Sequence, residues 1–349
     1  MSDTMELDLE GVLPKTGGSF EGEDVLITGG AGFLGSWLCE ALVRSGARVT
    51  CFDNLSTGSR RHISGLLRSR NFKFLRGDVS RSVPGRSFDV IVHGASIPAP
   101  ELYMKSPIET VRANGSGTEV VLELARKTDA TVLLLSTSEV YGDATLIPTP
   151  ESYVGRVDSL GPRACYYESK RYAETLCVSY FKEHSLDVRI SRLFNSYGPR
   201  LDAGSGYSRV ISRFIVQALE GRALTIHGDG NQTRSFCYVS DTVRALLSML
   251  TRNVRGQTIN VGSDTEISIA VLAGLVKRIT GSESRITHES PRPDDPRRRH
   301  PDISKAKRLL GWSPSVRLED GLARTTEWFR RELAQPDAER RKAGTRRVP

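Results

Sequence analysis

A chain of 349 residues, 38% of them hydrophobic, is long enough for a large buried core and for two lobes, since single cores stop growing at about 250–300 residues. The formal net charge of +8 does not point to nucleic acid, because many of the basic residues lie in Arg292–Arg299 and in the tail from Arg330 to Arg347, where solvated surface accounts for them. No stretch approaches about 18 uninterrupted apolar residues and the first ten residues are acidic, so neither a membrane span nor an export signal is expected.

Cys39, Cys51, Cys165, Cys177 and Cys237 are odd in number, contain no C-x-x-C pair and do not cluster with the six histidines. They read as reduced thiols of a cytoplasmic protein, with neither a disulfide framework nor a metal site.

Residues 1–22 are polar and glycine-bearing without a sustained period, which predicts a flexible extension. From Asp24 onward strand and helix patterns alternate. The run Val25-Leu-Ile-Thr-Gly-Gly-Ala-Gly-Phe-Leu-Gly35 reads as a strand, a tight turn and a helix start. Such a turn presents backbone N–H groups and a positive dipole end to a pyrophosphate, which makes Gly29, Gly32 and Gly35 the phosphate-turn residues. Val49-Thr-Cys-Phe-Asp-Asn54 is the second strand. At its end, Asp53 can accept both ribose hydroxyls of an adenosine and would repel a 2′-phosphate, favouring NAD over NADP.

Phe72–Leu75, Val90–His93 and Thr131–Leu135 continue the strands, with helical spacing from Pro107 to Arg126 between the last two. This alternation predicts an α/β protein with a Rossmann-type, doubly wound parallel sheet covered on both faces. Asp78 and Val79 follow the third strand at the carboxyl edge, where an adenine contact is expected, and Ser96 follows the fourth, beside the nicotinamide-side ribose and phosphate.

Leu135-Ser-Thr-Ser-Glu-Val-Tyr-Gly142 places hydroxyls and a carboxylate at the end of the fifth strand. The helix that follows carries Tyr166 and Lys170 one turn apart on one face. A phenol with a reference pKa of about 10 is a poor base at neutral pH, and an adjacent ammonium and a nicotinamide cation favour its phenolate. Tyr166 then takes a proton from a substrate hydroxyl while the carbon gives hydride to the cofactor.

These segments, with Arg192-Leu-Phe-Asn-Ser-Tyr-Gly-Pro-Arg200 and Leu224-Thr-Ile-His-Gly-Asp-Gly-Asn-Gln-Thr-Arg-Ser-Phe-Cys-Tyr-Val-Ser-Asp241, closely resemble the extended short-chain dehydrogenase/reductase family of nucleotide-sugar enzymes, from residue 24 to about 332. The resemblance implies further NAD contacts at Phe33, Leu34, Asn54, Ser56, Thr57 and Gly58. Ser138 with Glu139, Gly161-Pro-Arg-Ala-Cys-Tyr166 and Arg299-His-Pro-Asp302 look like the UDP-glucuronate decarboxylase branch. That branch implies oxidation at C4 of UDP-glucuronate, loss of carbon dioxide and re-reduction to UDP-xylose by the retained cofactor. Tyr166, Lys170, Thr137, Ser138, Glu139 and Arg299 are then catalytic, while Asn195, Arg209, Arg234 and Arg299 hold the nucleotide sugar.

Ser169 before the lysine and the loop Leu201–Ser208 are similar to 4-epimerases, so an epimerase stays open, as does an oxidative decarboxylase that releases a 4-keto pentose and NADH. The resemblance implies an NAD-binding domain at 23–199 with a return segment at about 236–264, and a substrate lobe at 200–235 and 265–332. It leaves a charged tail at 333–349. A homodimer through a four-helix bundle of residues 108–127 and 163–184 is expected, with no nucleic-acid or membrane partner.

Overall fold

A computed structural model describes residues 20–201, 209–292 and 295–334; the expected terminal extension, the charged tail and the loop after Leu201 fall almost entirely outside the described residues. Strand β1 (Asp24–Thr28) runs through the glycine turn into α1 (Phe33–Arg44), and β2 (Arg48–Asp53), a 3-10 turn (Arg60–Leu66) and β3 (Phe72–Arg76) follow. After β4 (Val90–His93) come α2 (Pro100–Lys105), α3 (Pro107–Asn114) and α4 (Ser116–Thr128). The single helix expected from Pro107 to Arg126 is therefore two, broken at Gly115, where an added Cβ would lie 2.9 Å from the Val111 carbonyl oxygen and 3.5 Å from the Tyr172 ring.

Strand β5 (Thr131–Thr137) leads through a short 3-10 turn (Ser138–Tyr141) and a long loop to α5 (Ala164–His184), then β6 (Val188–Leu193). The remainder comprises β7 (Ser196–Tyr197), α6 (Val210–Leu219), β8 (Leu224–His227), β9 (Thr233–Ser235), β10 (Cys237–Tyr238), α7 (Val239–Thr251) and β11 (Thr258–Val261). It closes with β12 (Glu266–Ser268), α8 (Ile269–Thr280), β13 (Ile286–Glu289), β14 (Arg298–Arg299), α9 (Ser304–Leu310) and α10 (Leu318–Leu333).

Seven parallel strands form the central sheet in the order β11-β6-β5-β4-β1-β2-β3. Because both faces are covered, its strands are continuous apolar runs whose successive side chains enter opposite layers. Val25 and Ile27 pack with Trp37 and Leu38 of α1 and Leu246 of α7, whereas Leu26 between them joins Val121 and Leu122 of α4 and Ala173 of α5. Strand order reverses between β1 and β4, and the crevice at the carboxyl ends beside that reversal is where such sheets take ligands. Smaller sheets stand apart from it, among them β12-β9-β14, which sets Arg234 and Arg299 side by side. No helix among the described residues is long and apolar enough to cross a membrane.

Candidate active site

The carboxyl ends of the central strands open into one cleft of about 900 Å³. At one end lies the glycine turn. Gly29 has φ +70°, and a Cβ there would stand 2.7 Å from the Ala95 backbone nitrogen; at Gly35 a Cβ would overlap the Gly29 carbonyl oxygen. Both positions accept only glycine. Gly32, Phe33 and Leu34 line the cleft where α1 begins, so its first N–H groups point at whatever the turn holds.

Asp53 ends β2 beside this turn, with one carboxylate oxygen accepting from the Ala31 N–H (3.0 Å) and the other from the Leu55 N–H (2.7 Å). Burial raises its pKa while these two donors oppose the shift, and each oxygen keeps capacity for a further donor. Asn54, Ser56, Thr57, Asp78 and Val79 line the same end. Gly58 does not. It sits behind Asp53, where a Cβ would be 3.0 Å from the Asp53 Oδ2, so it backs the acid instead of forming wall.

Ser96 lines the cleft with a buried hydroxyl that has no hydrogen-bond partner among the described residues. A turn closed to side chains, a positioned carboxylate and an orphaned hydroxyl together fit a dinucleotide, the pyrophosphate on the turn and a ribose on Asp53.

Tyr166 and Lys170 lie on the first two turns of α5 and are both buried. The Lys170 Nζ donates to the Leu135 carbonyl oxygen (2.9 Å), and burial lowers its pKa to about 8. For Tyr166, burial pushes the phenol up to about 12, Glu139 adds to this, and Arg209, the Thr137 hydroxyl and Arg299 oppose it. The main offsets within the chain are thus two arginines and a hydroxyl, where the sequence suggested the Lys170 ammonium. Lys170 is turned to the strand carbonyl and does not head the groups acting on the phenol.

Thr137 accepts the Glu139 N–H (3.2 Å), and Ser138 is buried beside it on the cleft wall. The Glu139 carboxylate accepts from Arg163 (2.7 Å) and stands 3.6 Å from Arg299. Burial disfavours its charge, but the two arginines outweigh that and hold its pKa below the usual range. Among the described residues the buried Nε of Arg299 has no hydrogen-bond partner. Beside Arg299, Arg234 is bound to Asp295 (2.6 Å), while Arg209 donates to the Ser196 carbonyl oxygen (3.1 Å) and Asn195 to that of Ser235 (2.8 Å). All four sugar-side residues expected from the sequence line the cleft.

Residues 25–262 match the NAD dependent epimerase/dehydratase family. The chain belongs to that family. Among its relatives, UDP-glucuronic acid decarboxylase 1 of Xenopus tropicalis is 47% identical over 309 residues, 88% of this chain and 72% of that protein. UDP-glucuronic acid decarboxylase 3 of Arabidopsis thaliana is 44% identical over 313 residues, 89% of this chain and 90% of that one. A solved UDP-glucuronic acid 4-epimerase from Bacillus cereus, in complex with UDP-glucuronic acid and NAD, superposes with a TM-score of 0.80 at 31% identity, covering 88% of this chain and 99% of its own.

Three residues of this epimerase/dehydratase site were not singled out from the sequence: Tyr103, Arg163 and Asp295. The Tyr103 ring stacks flat on that of Tyr166 (centroids 4.9 Å apart, planes within 3°), and its hydroxyl accepts from the Arg163 Nε at 2.7 Å. Arg163 thereby ties the ring covering Tyr166 to Glu139. Its position three residues before Tyr166, inside a quoted motif, was the available signal.

Arg163→Met is expected to destabilise the fold by about 3 kcal/mol, because it leaves the buried Glu139 carboxylate with only the longer contacts to Arg299 (3.6 Å) and the Tyr103 hydroxyl (3.4 Å) among the described residues. The folded-state pKa of Glu139 is depressed, so the stabilisation is complete above the unfolded carboxylate pKa and disappears as pH falls through the folded value. Denaturant unfolding of both proteins should therefore differ at pH 7 and converge in acid.

Proposed function

We propose that this protein converts UDP-glucuronate to UDP-xylose through a 4-keto sugar, with no net change in its cofactor. One observation carries the choice. Arg299, whose buried Nε has no partner among the described residues, stands beside Glu139 and within electrostatic reach of Tyr166, which gives a carboxylate on sugar C5 a cationic seat next to the group that deprotonates the C4 oxygen.

In this reading the glycine turn, Asp53 and Ser96 would hold NAD, which would supply a reversible acceptor for the hydride at sugar C4. Tyr166 takes the C4 hydroxyl proton, while Thr137 and Ser138 orient that oxygen. The C5 carboxylate is then β to a ketone, and the C5–carboxylate bond breaks with its electrons moving into the C4 carbonyl. Carbon dioxide leaves, the enolate takes a proton from solvent at C5, and the C4 ketone is reduced by the returning hydride as Tyr166 gives its proton back. Donors fixed before charge develops are what lower such a barrier. Glu139, held ionised by arginines, acts as a fixed anion that aims Arg299, not as a proton donor. Lys170 keeps a positive charge near the cofactor ribose and Tyr166. Asn195, Arg209 and Arg234 take the diphosphate, for which planar guanidinium forks are suited.

The domain division belongs to the same reading: residues 23–199 with the return at 236–264 bind NAD, and 200–235 with 265–332 close over the sugar nucleotide. So do a cytoplasmic location, to which five free cysteines are suited, and a homodimer. Ile108 and Val111 of α3 and Tyr172 of α5 are exposed at 60%, 46% and 50%, a surface suited to a four-helix bundle.

Incubation with UDP-glucuronate followed by mass analysis of the nucleotide sugar tests the reaction. The expected product is lighter by one carbon dioxide, without accumulation of reduced cofactor. A second reading, 4-epimerisation, is favoured by the likeness to the glucuronic acid 4-epimerase. An unchanged mass with inversion at C4 would establish it, and persistent reduced cofactor would mark an oxidative decarboxylase.

A further inference from the structure

Three turns of α5 meet three consecutive residues of β5. Tyr166 lies against the Thr137 hydroxyl, the Lys170 Nζ donates to the Leu135 carbonyl oxygen, and the Glu174 carboxylate accepts from the Ser136 hydroxyl at 2.6 Å. Residues 166, 170 and 174 are four apart and share one helix face. Tyr166 and Lys170 line the cleft, whereas Glu174 does not. It lies beyond them on the far side of the sheet edge, where Arg192 of β6 grips its two oxygens (2.6 and 3.0 Å). Arg192 in turn donates to the Tyr141 hydroxyl (2.9 Å) and the Glu151 carbonyl oxygen (3.1 Å). The carboxylate therefore fastens the helix bearing the tyrosine–lysine pair to two strands at once, without reaching substrate or cofactor.

We infer that Glu174 is a positioning residue for the proposed reaction, holding Lys170 charged and in register with β5 from outside the cleft. The proposal rests on the tyrosine–lysine chemistry set out above. Charged and titratable groups around Lys170 are few: Glu174, Cys177 and Tyr166 on its own helix, His93 of β4, and Arg192 of β6 beyond Glu174. His93 is fully buried between the Thr28 and Thr118 hydroxyls, with its pKa lowered to about 3, so it brings no charge at neutral pH. Burial opposes the ammonium and Glu174 gives it the largest support, whereas the Cys177 thiol, pushed up to about 12 by burial, stays neutral at this pH. Loss of the Glu174 charge lowers the Lys170 pKa, so activity that needs the ammonium fails at lower pH on the alkaline side.

The test compares pH profiles of kcat for wild type, Glu174→Gln and Ser136→Ala, with wild-type turnover of UDP-glucuronate established in the same assay. Glu174→Gln should lower kcat at pH 8 by about fivefold and move its alkaline limb down by about one unit, the scale of one nearby opposite charge. Ser136→Ala keeps the carboxylate and should lower kcat less, with the limb in place. If Glu174→Gln does not fold, Glu174→Gln combined with Arg192→Gln removes the buried pair together, and the limb should still move down but by less, because the Arg192 cation that opposes the ammonium is lost with the carboxylate. An unmoved alkaline limb in the folded variant overturns the proposal, whereas a wild type inert toward UDP-glucuronate overturns the substrate reading instead.

Discussion

Tyr166→Phe is expected to bind NAD with its affinity unchanged and to lose turnover by about a thousandfold, within the range a positioned general base contributes. The substitution deletes one oxygen from a ring clamped flat against Tyr103 in a buried layer, so the packing survives. What is lost is the acceptor for the C4 proton. No neighbour replaces it: Tyr167 donates its hydroxyl to the Asp158 carbonyl oxygen, and the Tyr103 hydroxyl is taken up by Arg163 and Glu139. Burial holds the Tyr166 phenol near 12 in the chain alone, so the wild-type rate should climb with pH until the Lys170 ammonium, near 8, begins to fail. Stopped-flow measurement of cofactor reduction, with NAD affinity from a separate titration, separates the two effects. Undiminished cofactor reduction in the phenylalanine variant would remove Tyr166 as the base.

Gly35→Ala should weaken NAD binding by about a hundredfold, equivalent to ~2.7 kcal/mol. A glycine within a helix ordinarily gains about 0.5–1 kcal/mol on replacement by alanine, because the unfolded chain loses freedom. Here steric overlap decides the sign. The new methyl group would fall on the Gly29 carbonyl oxygen and stand 2.7 Å from the Gly30 Cα, and both are backbone atoms of the phosphate turn that cannot swing aside. Relief requires the turn and α1 to separate, which withdraws the N–H groups from the pyrophosphate. Gly274→Ala in α8 is the control, since a Cβ there meets nothing within 4 Å and the variant should be slightly stabilised. Calorimetric titration with NAD and thermal unfolding of both variants check this pair. Wild-type affinity in Gly35→Ala would show that the turn does not need the close crossing.

Residues of the site differ in how far they could be read before the fold was seen. The glycine turn, Asp53 and the tyrosine–lysine pair are local patterns, with partners at fixed spacings along one strand, turn or helix, and the structure brings them to one cleft. Arg163 meets Tyr103 across 60 positions, and Arg299 meets Glu139 across many more. No spacing rule reaches that far. Gly58, an NAD contact implied by the resemblance, lies where the chain curls behind Asp53, which no local pattern registers. Gly115 breaks an otherwise helical pattern with its backbone at φ −85° and ψ −82°, a departure that hydrophobic periodicity does not register.

The order of strands and helices, the parallel sheet, the pyrophosphate turn and the spacing of Tyr166 and Lys170 were determined by the sequence alone, because backbone geometry converts short-range residue order directly into shape. Which charges surround that pair was decided only by tertiary structure. Burial moves both pKa values away from their usual positions, and the groups that oppose it, Arg209, Arg299 and Glu174, come from three separate parts of the chain. Electrostatic interactions in a buried site depend on distance through space, and that distance exists only once the sheet has closed against its helices.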